Sequence, residues 1–448
     1  MNFPEKQSPE RKSWREYQKK LKRRRRLPST LKIALVAAAA VLIGWGLVRG
    51  AAFLKMPDFA SVAGLFGTPK NIEGRLDPRA FTNLRQPSFA AEVDGKTYRV
   101  ETSLDPLLQN ALLSKMEEIT AKERYCSRFV SILVMKADSG KVLSMISFDK
   151  LDKSRNTCVE YAFPAASIFK IVTAAAAIET QGLSAGSPIN FTGRKHTLFR
   201  GQLKDAAARY TTTLTLEEAF AQSINPVFGK IGVDLLGKKV LEEYASRFGF
   251  NQPIEFDLPV AVSRMAVGED KFEQAEIASG YNTQTTMSTL HGAMICAALL
   301  NGGTMKPPVL VERISNPSTR VVYEGSPKPA RRVISERASA ELYKAMQATV
   351  YSGTARKVFR GANKNPVLNS LVIGGKTGSI HDNPRYDWFV GFAADPRTGD
   401  AIVVSSMVAH EDFIGERAGR YAMIAMESYF SRNSTPAAVP AGKAKRRR

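Results

Sequence analysis

Residues 162–170 read Ala-Phe-Pro-Ala-Ala-Ser-Ile-Phe-Lys, and residues 171–179 continue Ile-Val-Thr-Ala-Ala-Ala-Ala-Ile-Glu. Ser167 and Lys170 thus interrupt an otherwise apolar, helix-forming stretch. Lysine is almost never fully buried without a partner or a chemical purpose. Helix positions i and i+3 share a face, so the two side chains are within reach of each other. Pro164 suits the first helical turn. That would put Ser167 near a helix N-terminus, where backbone N–H groups and the dipole favour a developing negative charge. The spacing alone decides nothing, because Ser29–Lys32 and Ser147–Lys150 share it. The first abuts an apolar segment behind a basic N-terminus, and the second falls in a strand-to-loop segment. Only the third has the helical context. Lys170 is therefore read as the base that takes the Ser167 proton, its ammonium form disfavoured by burial and by a second nearby cation.

The rest of the chemistry is consistent with a base other than histidine. Of the four histidines, His196, His291, His381 and His410, none lies in a His-Glu-x-x-His pattern, and there is no Gly-x-Ser-x-Gly elbow. His291 sits in an apolar helical stretch and reads as a core residue. Gly-Gly-Lys-Thr-Gly-Ser at 374–379 resembles part of a phosphate loop, but Ser370 stands where its first glycine is required. The three cysteines lack metal-ligand spacing, and no cofactor or metal is expected. Two further short motifs follow Ser167 in order: Ser223-Ile-Asn225, and Lys376-Thr377-Gly378 at the end of an apolar strand. Singly, each has an ordinary reading: Ser223 a helix cap, Lys376 a solvated strand end, Gly378 a bend. Jointly, Ser-x-x-Lys, Ser-x-Asn and Lys-Thr-Gly are the set used by serine enzymes that employ lysine as base.

A chain of 448 residues is long enough for two or three domains or one large one with an appendage, and its 44% hydrophobic content suits a sizeable core. The net charge of +22 is concentrated at the two ends. The body is only mildly basic, which argues against nucleic-acid binding. Basic residues 19–26 precede Ile-Ala-Leu-Val-Ala-Ala-Ala-Ala-Val-Leu-Ile-Gly-Trp-Gly-Leu-Val at 33–48. Positive charge stays on the cytoplasmic side of such a segment. The expected organisation is a basic cytoplasmic tail (1–32), a single membrane span (33–54), a linker or small membrane-proximal segment (55–97), an exported domain (98–431) and a basic C-terminal tail (432–448). The alternative is a signal peptide cleaved near Gly50-Ala-Ala52. Within the body, residues 89–104 alternate around Asp94-Gly95 as a hairpin, and Asp105-Pro106 starts a helix. Two apolar strands flank Gly140, three more lie between 370 and 410, and a helix ends near 430. Strands at both ends with helices between them predict an α+β fold with one sheet built from the two ends.

From about residue 98 to 430 the chain resembles the transpeptidase domain of penicillin-binding proteins. Beyond the three motifs, Thr-Ser-Leu-Asp-Pro-Leu-Leu at 102–108, Asn-Gly-Gly-Thr at 301–304, Gly-Thr-Ala-Arg at 353–356 and Tyr-Asp-Trp-Phe-Val-Gly-Phe-Ala at 386–393 look like family segments in the usual order. The resemblance implies a five-stranded antiparallel sheet flanked by helices, with an inserted all-helical subdomain. It also implies a D,D-transpeptidase that is acylated by D-Ala-D-Ala stem peptides, cross-links peptidoglycan and binds penicillin covalently. Ser167 would be the nucleophile and Lys170 its base. Ser223 would relay a proton to the leaving group, and Asn225 would hold Lys170 and the substrate amide. Lys376 would orient Ser223, while Thr377 and Ser379 would bind the substrate carboxylate. The backbone N–H groups of Ser167 and Ser379 would form the oxyanion hole, and Gly378 would let an extended peptide pair with the strand. The implied partners are stem peptides, β-lactams, the inner-membrane bilayer and cell-wall synthesis proteins.

Departures from the family pattern are local. Pro-Ala-Ala-Ser replaces the common Pro-Gly-Ser, and Lys-Thr-Gly-Ser the common Lys-Thr-Gly-Thr. No glycosyltransferase domain fits before residue 90, so a bifunctional enzyme is not expected. Gly-Arg-Leu-Asp-Pro-Arg-Ala at 74–80 is a poor match to the Arg-Gly-x-Ile-x-Asp-Arg-x-Gly pattern of the long-pedestal class. Two other readings stay open: a D,D-carboxypeptidase that hands the acyl group to water, and a β-lactam sensor or scaffold without turnover. Export would permit a Cys126–Cys158 disulfide bracing the segment before Ser167, with Cys296 a buried free thiol.

Overall fold

In the computed structural model, which describes residues 72, 75–122, 127–204, 207–326 and 328–433, the first strands are β1 (Ser88–Val93) and β2 (Lys96–Thr102). They form the expected hairpin. Its turn is Asp94-Gly95, both at positive φ, the backbone that matches the twist of the flanking strands. β2 also pairs with a strand at Val311–Ser315, giving a four-stranded antiparallel sheet. The linker boundary expected at residue 97 is therefore corrected. It falls inside this hairpin, whose buried face (Ala91, Val93, Val100) belongs to the main core of the domain.

The chain continues through α1 (Pro106–Thr120), β3 (Ser127–Lys136) and β4 (Val142–Asp149). A largely helical stretch carries α2 (Lys170–Gln181), α3 (Leu216–Ala221), α4 (Asn225–Lys230), α5 (Gly237–Phe248), α6 (Lys271–Ser279), α7 (Thr289–Leu300) and α8 (Glu336–Tyr351). Then come β5 (Val372–Ile380), β6 (Arg385–Ala394), β7 (Ala401–His410) and α9 (Ala418–Phe430). The last three strands join the two early ones in an antiparallel sheet of order β5-β6-β7-β3-β4. Both faces of this sheet are buried, which is why its strands read as nearly continuous apolar runs. Val130, Ile132 and Val134 of β3, with Ile402, Val404 and Val408 of β7, belong to the core shared with α1 and α9. The intervening Leu133, Met135, Val403 and Met407 belong to the core shared with α2 and α7. The alternation is the period-two geometry of a strand.

The two edges of this sheet are finished differently. At the β4 edge, Gln109 of α1 accepts from Met145 N–H (3.0 Å) and donates to Met145 C=O (3.3 Å). Asn83 does the same for Ser147, at 2.9 and 2.7 Å. Two side-chain amides thus satisfy alternate residues of the edge as a sixth strand would. At the opposite edge, residues Thr377–Ile380 of β5 line a cavity.

Cys158 is a buried free thiol, so the expected Cys126–Cys158 disulfide is not formed. The chain does not stay at the strand end after β4 but folds back over the sheet. There Cys158 Sγ lies 3.2 Å from the Ile146 carbonyl and 3.7 Å from that of Ile132, five residues along β3 from Ser127. Cys126 itself, the proposed membrane span at 33–54 and both basic tails beyond residue 433 and before residue 72 lie outside the described residues. Among the described residues no helix is long and apolar enough to cross a membrane.

Gln109→Ala should leave Met145 N–H and C=O and the Ser144 hydroxyl without their partner in a buried setting. The expected loss is about 2–3 kcal/mol, measured as a lowered midpoint of denaturant unfolding with an unchanged slope.

Candidate active site

The Ser167 segment is held from three sides before any helix begins. Phe163-Pro164 pairs with Thr286-Met287 in a two-residue ladder, and Ala165 N–H donates to Thr285 O (2.8 Å). The buried Trp388 indole of β6 donates to Pro164 O at 2.8 Å. Pro164 thus lies in this ladder and not in the first helical turn. Ala166 explains the delay: its φ of +47° is incompatible with a right-handed helix. A 3-10 turn, Ala166–Phe169, follows, and α2 begins at Lys170. Gly280, the left-handed cap of α6, touches this turn. A Cβ there would sit 1.9 Å from Ala166 O.

Lys170 is fully buried. Its Nζ lies 2.8 Å from Ser167 Oγ, 2.7 Å from Asn225 Oδ1 and 2.5 Å from Ser279 O. Burial, and then the charge of Lys376, hold its pKa well below that of an ordinary lysine. A neutral amine has two hydrogens and one lone pair. The Asn225 and Ser279 oxygens can only accept, so they take both hydrogens. The lone pair is left facing Ser167, whose hydroxyl donates into it.

Ser223 and Asn225 occupy the turn between α3 and α4. α3 starts at a capping box of Thr215 and Glu218 and ends before Ser223, which stands at φ +54°. Asn225 opens α4 with its N–H on Lys195 O (2.7 Å) and its Nδ2 on His196 O (3.1 Å), leaving Oδ1 for Lys170. Lys376 on β5 is also fully buried. It donates to Ser223 Oγ (2.9 Å) and Thr377 O (2.8 Å), and burial lowers its pKa to about 7. The ring centroids of Phe220 (α3) and Phe228 (α4) lie 5.4 and 5.5 Å from Lys376 Nζ and Lys170 Nζ. At Gly378 a Cβ would meet Ile168 Cγ1 at 3.2 Å and Ala166 Cβ at 3.4 Å. Its bare backbone thus lets β5 seat against the Ser167 turn, a reason the sequence reading did not give.

All eight expected residues therefore fall in one place. Ser167, Ser223, Asn225, Thr377, Gly378 and Ser379 line a cavity of about 950 Å³, and Lys170 and Lys376 lie buried in its wall. Ser147 does not join them. Its hydroxyl donates to Arg155 O and accepts from Thr157 N–H, both at 2.8 Å, while Lys150 pairs with Glu411. His291 is buried in α7, with Nε2 2.7 Å from Phe248 O. Other contributors escaped the sequence reading. Thr354 hydrogen-bonds Thr377 through their hydroxyls; the Gly-Thr-Ala-Arg segment that holds it was visible, its contact was not. Ser279 and His196 act through backbone carbonyls, which leave no side-chain signature.

Comparison with known proteins places this geometry. The penicillin binding protein transpeptidase domain family matches residues 130–427, and the chain belongs to it. The chain is 27% identical over 329 residues to stage V sporulation protein D of Bacillus subtilis, covering 68% of this chain and 48% of that protein. It is 24% identical over 379 residues to the peptidoglycan D,D-transpeptidase PbpA of Mycolicibacterium smegmatis, covering 73% of this chain and 71% of that protein. The chain thus spans about half the length of the first relative and most of the second. Its fold is that of penicillin-binding protein A from M. tuberculosis, solved as an imipenem acyl-enzyme, with TM-score 0.60, 21% identity, and coverage of 74% of this chain and 79% of that one.

Two outcomes are expected from this geometry. Ala166→Gly should stabilise the protein by about 1 kcal/mol, because glycine reaches φ +47° without a Cβ clash; thermal unfolding measures it. Lys376 is protonated more weakly folded (about 7) than unfolded, where lysine titrates near its model value of 10.5. The unfolded chain therefore binds more protons between those values, and stability should rise with pH across that window. Lys376→Met removes this dependence. Its stability relative to the native sequence should be highest at pH 6 and shrink by about 2–3 kcal/mol at pH 9, as read by denaturant titrations at the two values.

Proposed function

We propose that the protein is a peptidoglycan D,D-transpeptidase that is acylated at Ser167. The observation that carries this is the Lys170 amine, whose only free valence points at the Ser167 hydroxyl. Ser167 Oγ attacks the carbonyl of the D-Ala-D-Ala bond as its proton passes to Lys170. Ser167 lies at the start of the turn that leads into α2, where amides lack intrahelical acceptors. Its N–H and that of Ser379 would receive the oxyanion. Lys376 holds Ser223, which passes a proton to the leaving D-Ala. Asn225 fixes Lys170, and Thr377, braced by Thr354, binds the donor carboxylate together with Ser379. The edge position of β5 suits an extended donor peptide added as a further strand. An amine then attacks the ester at Ser167 and closes the cross-link. A β-lactam enters by the same first step, but its ring-opened leaving group stays tethered and obstructs the second. The basic cluster ahead of the uncharged stretch at 33–48 supports an inner-membrane anchor over 33–54 with the catalytic domain outside, near other cell-wall synthesis proteins.

A fluorescent penicillin should label Ser167 alone, as located by peptide mapping. Ser167→Ala should abolish labelling, and Lys170→Ala should slow it by several orders of magnitude, since the base is lost and the oxyanion donors remain. Ser223→Ala should cost less, because water can substitute for the relay. Ser147→Ala should label at the native rate despite lower stability. An adduct elsewhere, or full labelling of Lys170→Ala, refutes the assignment.

A further inference from the structure

Only two carboxylates, Asp387 and Glu276, line the cavity around Ser167 among the described residues. Asp387 is spoken for. It pairs with Arg417 at 2.9 Å and accepts from Ala418 N–H at 2.9 Å. Glu276 on α6 is half-buried, and among the described residues its carboxylate has neither an ion pair nor a hydrogen-bond donor. It stands one helical turn before Ser279, whose carbonyl holds Lys170, so it lies on the same face of α6. The cavity is therefore bipolar. His381 just after β5, Arg385 on β6, Arg417 before α9 and Lys357 supply its basic groups, and Glu276 on α6 supplies the unpaired acidic one. A donor peptide ending in a carboxylate is drawn to the first. Nothing in the donor calls for the second.

We infer that Glu276 is the carboxylate that receives the cationic amine of the acyl acceptor. The inference rests on the acylation reading above and concerns the second half-reaction. An amine reaches the cavity as an ammonium ion, which a cationic cavity repels and cannot use as a nucleophile. Paired with Glu276, it surrenders one proton to the carboxylate and is left neutral. Its nitrogen forms the new C–N bond to the acyl carbon, a second proton passes through Lys170 to Ser167 Oγ as the C–O ester bond breaks, and the third stays on the amide. The ammonium charge and the carboxylate charge cancel, and Glu276 later releases its proton to solvent. Burial and the charges of Glu273 and Asp270, opposed in part by that of Arg200, raise the Glu276 pKa above the ordinary value, which suits it to hold that proton. The role assigned to Glu276 is thereby specific to a nucleophile that arrives charged.

The test uses the full chain with diacetyl-L-lysyl-D-alanyl-D-alanine as donor and two nucleophiles. Glycinamide is substantially cationic near neutral pH, and hydroxylamine is uncharged. Amide, hydroxamate and hydrolysis products are resolved by mass spectrometry. Glu276→Gln should lower the ratio of glycinamide transfer to hydrolysis on the order of tenfold, mainly through a higher KM for glycinamide. Transfer to hydroxylamine and labelling by fluorescent penicillin should be unchanged, and Glu276→Asp should restore part of the glycinamide ratio. An unchanged glycinamide ratio, or an equal fall for both nucleophiles, overturns the inference. So does a selective loss of hydrolysis, which would make Glu276 the base for water. If the native chain shows no penicillin adduct at Ser167, the acylation reading itself has failed, and that result is separate from any effect of Glu276.

Discussion

A single buried amine organises this structure. Lys170 Nζ has two carbonyl-type oxygens, one from α4 and one from the C-terminus of α6, and they consume both hydrogens of its neutral form. Each contact ties a separate part of the fold to α2. Thr173, one turn along, adds a bond to Ala278 O at 2.7 Å, so α6 is fixed to α2 at two successive levels. The Ser167 turn is clamped in its turn by Trp388 from β6 and by the bare backbone of Gly378 on β5. Helical insertion, sheet and turn must all be in place for the amine to find its partners. An amine buried without them would carry a desolvation penalty with nothing to offset it.

The same logic accounts for where the structure tolerates strain. Ala166 and Ser223 are non-glycine residues at positive φ, and both flank the two buried lysines. Left-handed backbone at such residues costs on the order of 1 kcal/mol or more and persists only when the surroundings dictate it. At Ala166 the surroundings are the Pro164 and Ala165 bonds and the contact with Gly280. At Ser223 they are the bond from its N–H to Phe220 O and the grip of Lys376 on its hydroxyl. At the remote edge of the sheet Asn83, also at positive φ, and Gln109 serve Ser147 and Met145 of β4, whereas β5 presents its end to the cavity.

Much of this was legible in the sequence because it rests on side chains at short spacing. Ser167 and Lys170 could be paired by helical periodicity, Asp94-Gly95 declared its hairpin, and the apolar runs at 127–149 and 372–410 announced one sheet built from the two ends. The three motifs could be joined only through family resemblance, since nothing local says that Lys376 meets Ser223 across 153 residues. What could not be read was carried by the backbone or by the path of the chain. The Ser279 carbonyl has no residue-type signature. Ala166 looks like an ordinary helix former and in fact delays the helix. The Cys126–Cys158 expectation treated the chain after β4 as staying at the strand end, whereas it crosses back over the sheet. The linker boundary at 97 falls inside the hairpin of β1 and β2, and the second partner of β2, more than 200 residues away, had no local signal.

The two lysines also constrain each other, and this gives the proposed reaction an internal order. The charge of Lys376 is among the causes that lower the Lys170 pKa. Lys376 itself titrates near neutrality because it is buried. In the proposed reading the donor arrives with a carboxylate beside Thr377 and Ser379, next to Lys376. A negative charge there favours the protonated form of Lys376. A more fully charged Lys376 in turn makes protonation of Lys170 still less favourable, so its lone pair stays available to Ser167. Donor binding thus keeps Lys170 in the neutral form that can accept the Ser167 proton. Once acylation expels the terminal D-Ala and its carboxylate leaves, Lys376 loses that support. A Lys376 that then holds its proton only in part opposes a cationic acceptor less than a permanently charged lysine would.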